Sequence, residues 1–216
     1  MIIVRHKYFY INVQQQNCIF FILFIIFFTI VPYYIIYYQI YQLIFSKNEF
    51  DRYFKFTFVR NPWSRTFSAY NFLKKGGINE GDRRWAAANL AAYGNFDDFI
   101  KGWLNISNIE QCVHFIPHYK FLCLPNDKNL LVDFLGFFEN IQDDFEYIKN
   151  TLSLDGNLAI RHENKTASDD KQLDYRDFYT NETRDIVSEV YKRDIELLGY
   201  NFDNSSLKTQ LSNRPT

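Results

Sequence analysis

Residues 53–77 read YFKFTFVRNPWSRTFSAYNFLKKGG, and this stretch decides the fold. Tyr53 to Val59 alternate aromatic or β-branched residues with Lys55 and Thr57, which is strand composition. Asn61 is a good helix N-cap, Pro62 suits the first helical position, and Gly76-Gly77 supplies a stop. Trp63, Phe67, Tyr70 and Leu73 recur at helical spacing as one apolar stripe. Ser64, Ser68, Asn71 and Lys75 form a polar stripe beside it. The stretch therefore predicts a strand, a sharp turn and a helix.

The chemistry sits at the turn. Arg60 ends the strand beside the expected free N–H groups of the helix start. A guanidinium at a helix N-terminus makes a phosphate site, because fixed donors and the positive dipole end converge. The competing reading is an ordinary amphipathic helix whose Arg60 makes a surface salt bridge. Ser68 favours the phosphate site, since it lies in the second turn, where a serine gains nothing from capping.

VRNPWSRTFSAY, residues 59–70, resembles the 3′-phosphate-binding motif of the carbohydrate sulfotransferase family. That family includes the chondroitin, heparan 2-O and related bacterial enzymes. Its members hold the 3′-phosphate of the sulfonate donor, 3′-phosphoadenosine 5′-phosphosulfate (PAPS), with an Arg and a Ser eight positions later. The matching positions are Arg60 and Ser68, and Asn61, Pro62, Arg65, Ala69 and Tyr70 fit the same pattern.

Charge distribution agrees with a polyanionic ligand. The chain has 216 residues, enough for one domain with a sizeable core, and a net charge of only −1. Residues 52–84 nevertheless hold eight Lys/Arg against Glu80 and Asp82, a local balance of +6. Residues 85–216 hold 13 Lys/Arg against 21 Asp/Glu, a balance of −8. A local positive field draws in anions. No nucleic-acid motif accompanies it, so nucleic acid is not an expected partner. Three cysteines, Cys18, Cys112 and Cys123, build no disulfide framework.

No charge or histidine occurs between Tyr8 and Ser46, and Cys18 to Phe45 is a nearly all-apolar run of 28 residues. About 20 such residues span a bilayer. Arg5, His6 and Lys7 precede the run, so the positive-inside tendency places the domain on the lumenal or outer side. A cleaved signal peptide fits less well, because no small-residue cleavage site follows. HKYFYINV, residues 6–13, competes with that anchor, because it resembles the first strand of the family. In relatives that strand feeds a PKxxGT-like loop whose lysine contacts the transferring sulfonate. Here Gln14-Gln15-Gln16-Asn17-Cys18 follows, with neither Gly nor Lys. On this second reading residues 14–45 replace the donor loop and its following helix, and the protein is cytoplasmic.

Further along, Arg83 to Tyr93 is a helix former ending at Gly94. Asn95 caps a second helix with Phe96, Phe99, Ile100 and Trp103 on one face. HFIPHYKFL (114–122) and VDFLGFFENIQDDF (132–145) resemble later family segments. Leu131 to Phe138 is apolar enough for a buried parallel strand. Asn140 is expected to cap a helix carrying Asp143 and Asp144 in its first turn, packed by Phe145, Ile148 and Leu152. His114 and His118 are four apart, but Pro117 breaks the helical face between them and no carboxylate completes a ligand set, so no metal is expected. His114 suits a cleft or a structural position. His118 stands where relatives often have Gln, which argues against catalysis by it. Residues 160–171 are loop-like, and by resemblance Asn164, Lys165 and Thr166 are candidates for nucleotide contact, against a solvated linker. Asn181 to Leu198 is an amphipathic helix capped by Thr180 and ended by Gly199, with Ile186, Val187, Val190, Tyr191, Leu197 and Leu198 inward. Beyond Phe202 the polar tail is expected to fray.

The resemblance implies an α/β fold, a three-layer sandwich around a short parallel sheet of the P-loop-like sulfotransferase type. The expected organisation is an N-terminal segment at 1–46 with the apolar membrane run at 18–45, a sulfotransferase-like domain at 47–203 and a polar tail at 204–216. The implied activity is sulfonate transfer from PAPS to a hydroxyl of a carbohydrate or glycan acceptor. The alternative is a catalytically impaired member that keeps only nucleotide binding or the fold. The absence of GxxxxGK[ST] argues against a P-loop kinase. Neither the sulfonate-facing lysine nor the general base is legible in the sequence.

Overall fold

The computed structural model describes residues 21–22, 54–123, 128–154 and 173–214. The expected first strand at 6–13, the segment at 14–18, the apolar run apart from Phe21 and Ile22, and the loop at 160–171 lie outside the described residues. The described residues form two compact units. The first holds residues 21–22, 54–59, 129–154 and Arg214; the second holds residues 60–123, 128 and 173–213.

The first unit is a parallel sheet with a helix. β2 (Lys55–Val59) pairs on one side with β1 (Phe21–Ile22) and on the other with β3 (Phe134–Phe137). Phe21 lies opposite Lys55, and Phe56 opposite Phe134. Two residues of the apolar run are thus strand. Among the described residues no helix is long and apolar enough to cross a membrane. All four residues of β3 are buried, which is why the sequence runs apolar without alternating. Phe56, Phe134 and Ile148 form the core, with Phe54, Phe58 and Leu152 packed against it. Gly136 is required there: a Cβ would meet the Phe58 ring at 2.6 Å.

The helix after β3, Ile141–Thr151, carries Ile148 to this core. Asn140 stands at its N-cap position but makes no capping bond. Its amide donates instead to Asp144, at 2.7 Å. Asp144 is fully buried and also accepts the Phe137 N–H at 2.6 Å and Arg214 Nη1 at 2.5 Å. A buried carboxylate needs several donors, and this one recruits the expected cap. Arg214 lies over the Phe134 ring as well, 4.7 Å from its centre.

The second unit is helical. Its helices are α1 (Pro62–Lys74), α2 (Glu80–Asn89), α3 (Phe96–Trp103), α4 (Tyr119–Leu122), α6 (Asn181–Val190), α7 (Lys192–Leu198) and α8 (Leu207–Asn213), the helix at Ile141–Thr151 being α5. The α1 stripe is as expected: Trp63, Phe67, Tyr70 and Leu73 are all buried. Phe67 and Tyr70 both meet the Phe96 ring edge-on at 5.2 Å, and Phe96, Phe99, Ile100 and Trp103 of α3 are buried too. Each such side chain contributes about 1.5–3 kcal/mol through burial. α1 stops as the glycines predict. Gly76 and Gly77 take φ of +89° and +61°, and their N–H groups donate to Leu73 and Phe72 carbonyls.

Three boundaries differ from expectation. α2 starts earlier, at Glu80, because the Asn79 side chain accepts the Asp82 N–H and caps it; it ends before Leu90, which is buried. The helix expected at 181–198 is interrupted at Tyr191, although Thr180 caps its start in a reciprocal pair with Thr183 and Gly199 ends it. The tail beyond Phe202 does not fray throughout. α8 forms, and its buried Gln210 donates to the Leu198 carbonyl at 2.8 Å.

Candidate functional site

The candidate site is the start of α1, and Asn61 sets its character. Asn61 is fully buried. Its Oδ1 accepts the N–H groups of Trp63 (3.0 Å) and Ser64 (3.3 Å), while its carbonyl accepts that of Arg65 at 2.8 Å. Pro62 has no N–H. The first-turn backbone donors are therefore already used, so the expectation of free N–H groups for an anion is corrected. The Asn61 amide is equally committed, donating to the Asn201 carbonyl (2.8 Å) and Asn204 Oδ1 (2.6 Å).

The other donors here are side chains. Arg60 Nε donates to Ser64 Oγ at 3.0 Å. Ser64 is buried and Ser68, one turn on, is half-buried. Among the described residues the Ser64 hydroxyl proton has no acceptor and the Ser68 hydroxyl has no partner. Helical hydroxyls and amides elsewhere on α1 do bond back to the preceding turn: Thr66 to the Pro62 carbonyl and Asn71 to that of Phe67. Ser68 does not. One guanidinium and two hydroxyls at one-turn spacing converge on one edge of α1, which suits an anion of phosphate size.

Arg65 has a different task from Arg60. It donates to the Ile116 carbonyl at 2.6 Å, lies 4.9 Å from the Tyr191 ring centre and stands 3.7 Å from Asp194. Asp194 is fully buried and accepts the N–H groups of His118 and Tyr119, each at 2.7 Å. Burial pushes the Asp194 carboxyl up, against the pull of Arg65 and the two N–H groups. Burial, with Arg65 nearby, drives His118 well below the ordinary histidine range, so its ring stays neutral. His118 Nε2 is sealed from solvent with no hydrogen-bond partner among the described residues.

His114 lies elsewhere, before α4. Its Nε2 is 3.0 Å from Asp82 Oδ1, and its ring rests 5.2 Å from that of Phe72. The two histidines face different partners, and among the described residues no group of three or more His, Cys, Asp or Glu is placed to hold a metal ion.

A family model described as the Sulfotransferase family matches residues 38–201. The chain belongs to the Sulfotransferase family. It is also 30% identical over 126 residues to an uncharacterized protein of Archaeoglobus fulgidus, a match covering 57% of this chain and 86% of that one. No solved structure matches. Membership of the Sulfotransferase family supports sulfonate transfer as the general chemistry, and the mixed fold with its short parallel sheet accords with it.

Within this sulfotransferase-family chain, the structure brings Arg60, Ser64 and Ser68 to one edge of α1. Asn164, Lys165 and Thr166 lie outside the described residues. The positive field read from the sequence is more dispersed than the count suggests. Lys55 pairs with Asp133 at 2.7 Å, Arg83 and Arg84 pair with Glu80, and Arg65 is half-buried beside Asp194. Sequence reading missed the pairings of Arg65 with Asp194 and His114 with Asp82, since partners so far apart in the chain leave no periodic signal.

Proposed function

We propose that this chain transfers a sulfonate from PAPS to a hydroxyl of a carbohydrate or glycan acceptor, with Arg60 and Ser68 holding the donor's 3′-phosphate. One observation carries this reading: the Ser64 and Ser68 hydroxyls have no acceptors among the described residues, on the helix edge where Arg60 meets Ser64, in a chain of the Sulfotransferase family. A dianionic phosphate would satisfy those donors without using the occupied backbone. Ser64 joins the site by holding Arg60. Asn164, Lys165 and Thr166 are assigned to the nucleotide by resemblance, and the complete architecture is the three-layer sandwich of P-loop-like sulfotransferases. No metal and no nucleic acid is invoked.

Charge-assisted hydrogen bonds of this kind contribute about 1.5–3 kcal/mol. Arg60→Ala should therefore weaken binding of adenosine 3′,5′-bisphosphate by roughly tenfold to a hundredfold in calorimetry. Ser68→Ala should cost less, since it removes a neutral donor. Unchanged affinity in Arg60→Ala would remove the site assignment.

A second reading is a family member that binds the nucleotide but transfers poorly. It is favoured by residues 14–18, which contain neither glycine nor lysine.

Residues 18–45 carry a further proposal: they anchor the chain in a membrane, with the domain lumenal or outside. Their length and the charge-free stretch around them support it. The pairing of Phe21 and Ile22 with β2 favours the alternative of a cytoplasmic protein in which the segment belongs to the sheet. A residue bonded into the domain's sheet is not in a spanning helix. If the anchor reading holds, carbonate-washed membranes retain the chain in the pellet; release to the supernatant favours the sheet.

A further inference from the structure

The proposed reaction needs a base for the acceptor's hydroxyl proton, and the sequence names none. Two residues brought together from different parts of the chain have the required form. Asp82 is in the first turn of α2, and its carboxylate is fixed at both oxygens. Oδ2 accepts the Ile78 N–H at 3.0 Å and Oδ1 faces His114 Nε2 at 3.0 Å. Gly77 packs closely on Asp82, where a Cβ would come within 2.2 Å of the Asp82 Cβ and 2.6 Å of Oδ2.

This fixes the histidine's proton arrangement. With a carboxylate at Nε2, the neutral ring carries its hydrogen there and donates it to Asp82, leaving the lone pair on Nδ1. His114 Nδ1 has no hydrogen-bond partner among the described residues, and the side chain is 21% exposed. Nδ1 is thus the ring atom left to meet solvent or a ligand.

Position adds an independent argument. The His114 ring rests on Phe72, which follows Ser68 by one turn of α1, as Ser68 follows Ser64. One such step is about 6 Å along the helix, so Ser64, Ser68 and Phe72 run along one edge over about 12 Å. The His114 ring stands against the far end of that edge, away from Arg60. A donor held at Arg60 and Ser68 would reach it only with its sulfonate end directed along this edge.

We propose that His114, oriented by Asp82, is the general base for the transfer. This rests on the reading that Arg60 and Ser68 bind the donor. In the step, the acceptor oxygen forms a bond to the donor's sulfur as the sulfur–oxygen bond to the 5′-phosphate breaks. The hydroxyl proton passes to His114 Nδ1, Asp82 balances the imidazolium, and the electron pair leaves with adenosine 3′,5′-bisphosphate. The imidazolium then returns the proton to solvent.

The test uses the full chain in three measurements. Calorimetry with adenosine 3′,5′-bisphosphate should give the same affinity, within about twofold, for wild type, His114→Ala and Asp82→Asn. Transfer of labelled sulfonate from PAPS to a panel of glycans should fall about a hundredfold or more in His114→Ala. Asp82 acts through His114, so Asp82→Asn should lower kcat on the order of tenfold with KM for PAPS unchanged. The third measurement needs no turnover. Diethyl pyrocarbonate, read by peptide mass spectrometry, should modify His114 in the free chain and do so at least about fivefold more slowly with saturating PAPS. Transfer unaffected by His114→Ala, an inert His114, or equal reactivity with and without PAPS overturns the base assignment while nucleotide binding stands. Loss of affinity in both variants makes the pair structural and equally overturns it. A wild-type chain that binds no nucleotide removes the donor-site reading instead, and the base assignment falls with it.

Discussion

Replacing Asp194 by alanine is expected to destabilise the second unit by about 3–5 kcal/mol, the range for a buried ion pair broken by deleting one partner. Asp194 is fully buried and holds three groups from distant parts of the chain: the N–H of His118, the N–H of Tyr119 and the Arg65 guanidinium. Arg65 Nε and Nη2 already lack hydrogen-bond partners among the described residues, so the alanine variant leaves a half-buried cation with the Ile116 carbonyl and the Tyr191 ring face. The two N–H groups each lose an acceptor as well, which costs about 1–3 kcal/mol for a buried donor. These costs overlap, because water entering the gap would relieve them together. A typical domain has only about 5–15 kcal/mol in hand, so the urea midpoint followed by circular dichroism should fall steeply. Asp194→Asn keeps one acceptor oxygen and should lose about half as much. An unchanged midpoint in Asp194→Ala would mean that Asp194 does not hold the unit together.

The same residue gives a pH dependence with a definite sign. Burial raises the Asp194 carboxyl above its ordinary value, so the folded chain binds that proton more tightly than the unfolded one. Its contribution is therefore fully present below the ordinary aspartate value and is lost as pH rises through the raised value. His118 has the opposite sign. Its lowered value makes its contribution present above the ordinary histidine range and lost as pH falls. Comparing stability against pH in wild type and Asp194→Ala isolates the first of these, and the acid-side slope due to Asp194 should vanish in the variant.

These cases show what the sequence reveals and what it withholds. The cap at Asn61, the stripe from Trp63 to Leu73, the Gly76-Gly77 stop and the inward face of α3 were all legible, because each follows from residues within four positions of one another. Leu131 to Phe138 announced a buried strand for the same reason, although only Phe134–Phe137 forms it. What escaped depends on long-range partners. Asn140 has a cap's identity and position, yet Asp144 claims its amide. The break at Tyr191 has no Gly or Pro to mark it, and the inward pair Tyr191 and Asp194 sits at the interruption. α8 docks through Gln210 rather than an apolar stripe, so periodicity reads it as tail. At the candidate site, the Arg60 to Ser68 spacing was legible through resemblance to a family. That Asn61 consumes the helix-start donors was not, since this requires knowing which lone pair each N–H meets.

The largest functional effect expected concerns the donor's other end. PAPS has two handles, the 3′-phosphate and the 5′-phosphosulfate, and only the second changes charge as the sulfonate moves. Contacts to the 3′-phosphate exist equally before and during transfer, so Arg60 and Ser68, holding it as proposed, would lower the donor's dissociation constant without accelerating the step. Acceleration needs fixed cations or backbone donors at the transferring group and the leaving phosphate. Relatives supply these from a PKxxGT-like loop, whose glycine allows close backbone approach and whose lysine meets the sulfonate. Residues 14–18 read Gln-Gln-Gln-Asn-Cys and offer neither. Losing one preorganised charge stabiliser costs on the order of a hundredfold to a thousandfold, and here a whole loop of them differs. The unmodified chain should therefore bind adenosine 3′,5′-bisphosphate yet transfer labelled sulfonate to a mixed panel of glycosaminoglycans and simple sugars at least about a hundredfold more slowly than a variant carrying a PKxxGT loop in place of residues 14–19. The Arg60→Ala change should lower affinity in both chains alike, because the two handles are held independently. Robust transfer by the unmodified chain would overturn the argument and require another lysine, such as Lys55 or Lys165, to reach the sulfonate; Lys55 would first have to leave Asp133, at 2.7 Å.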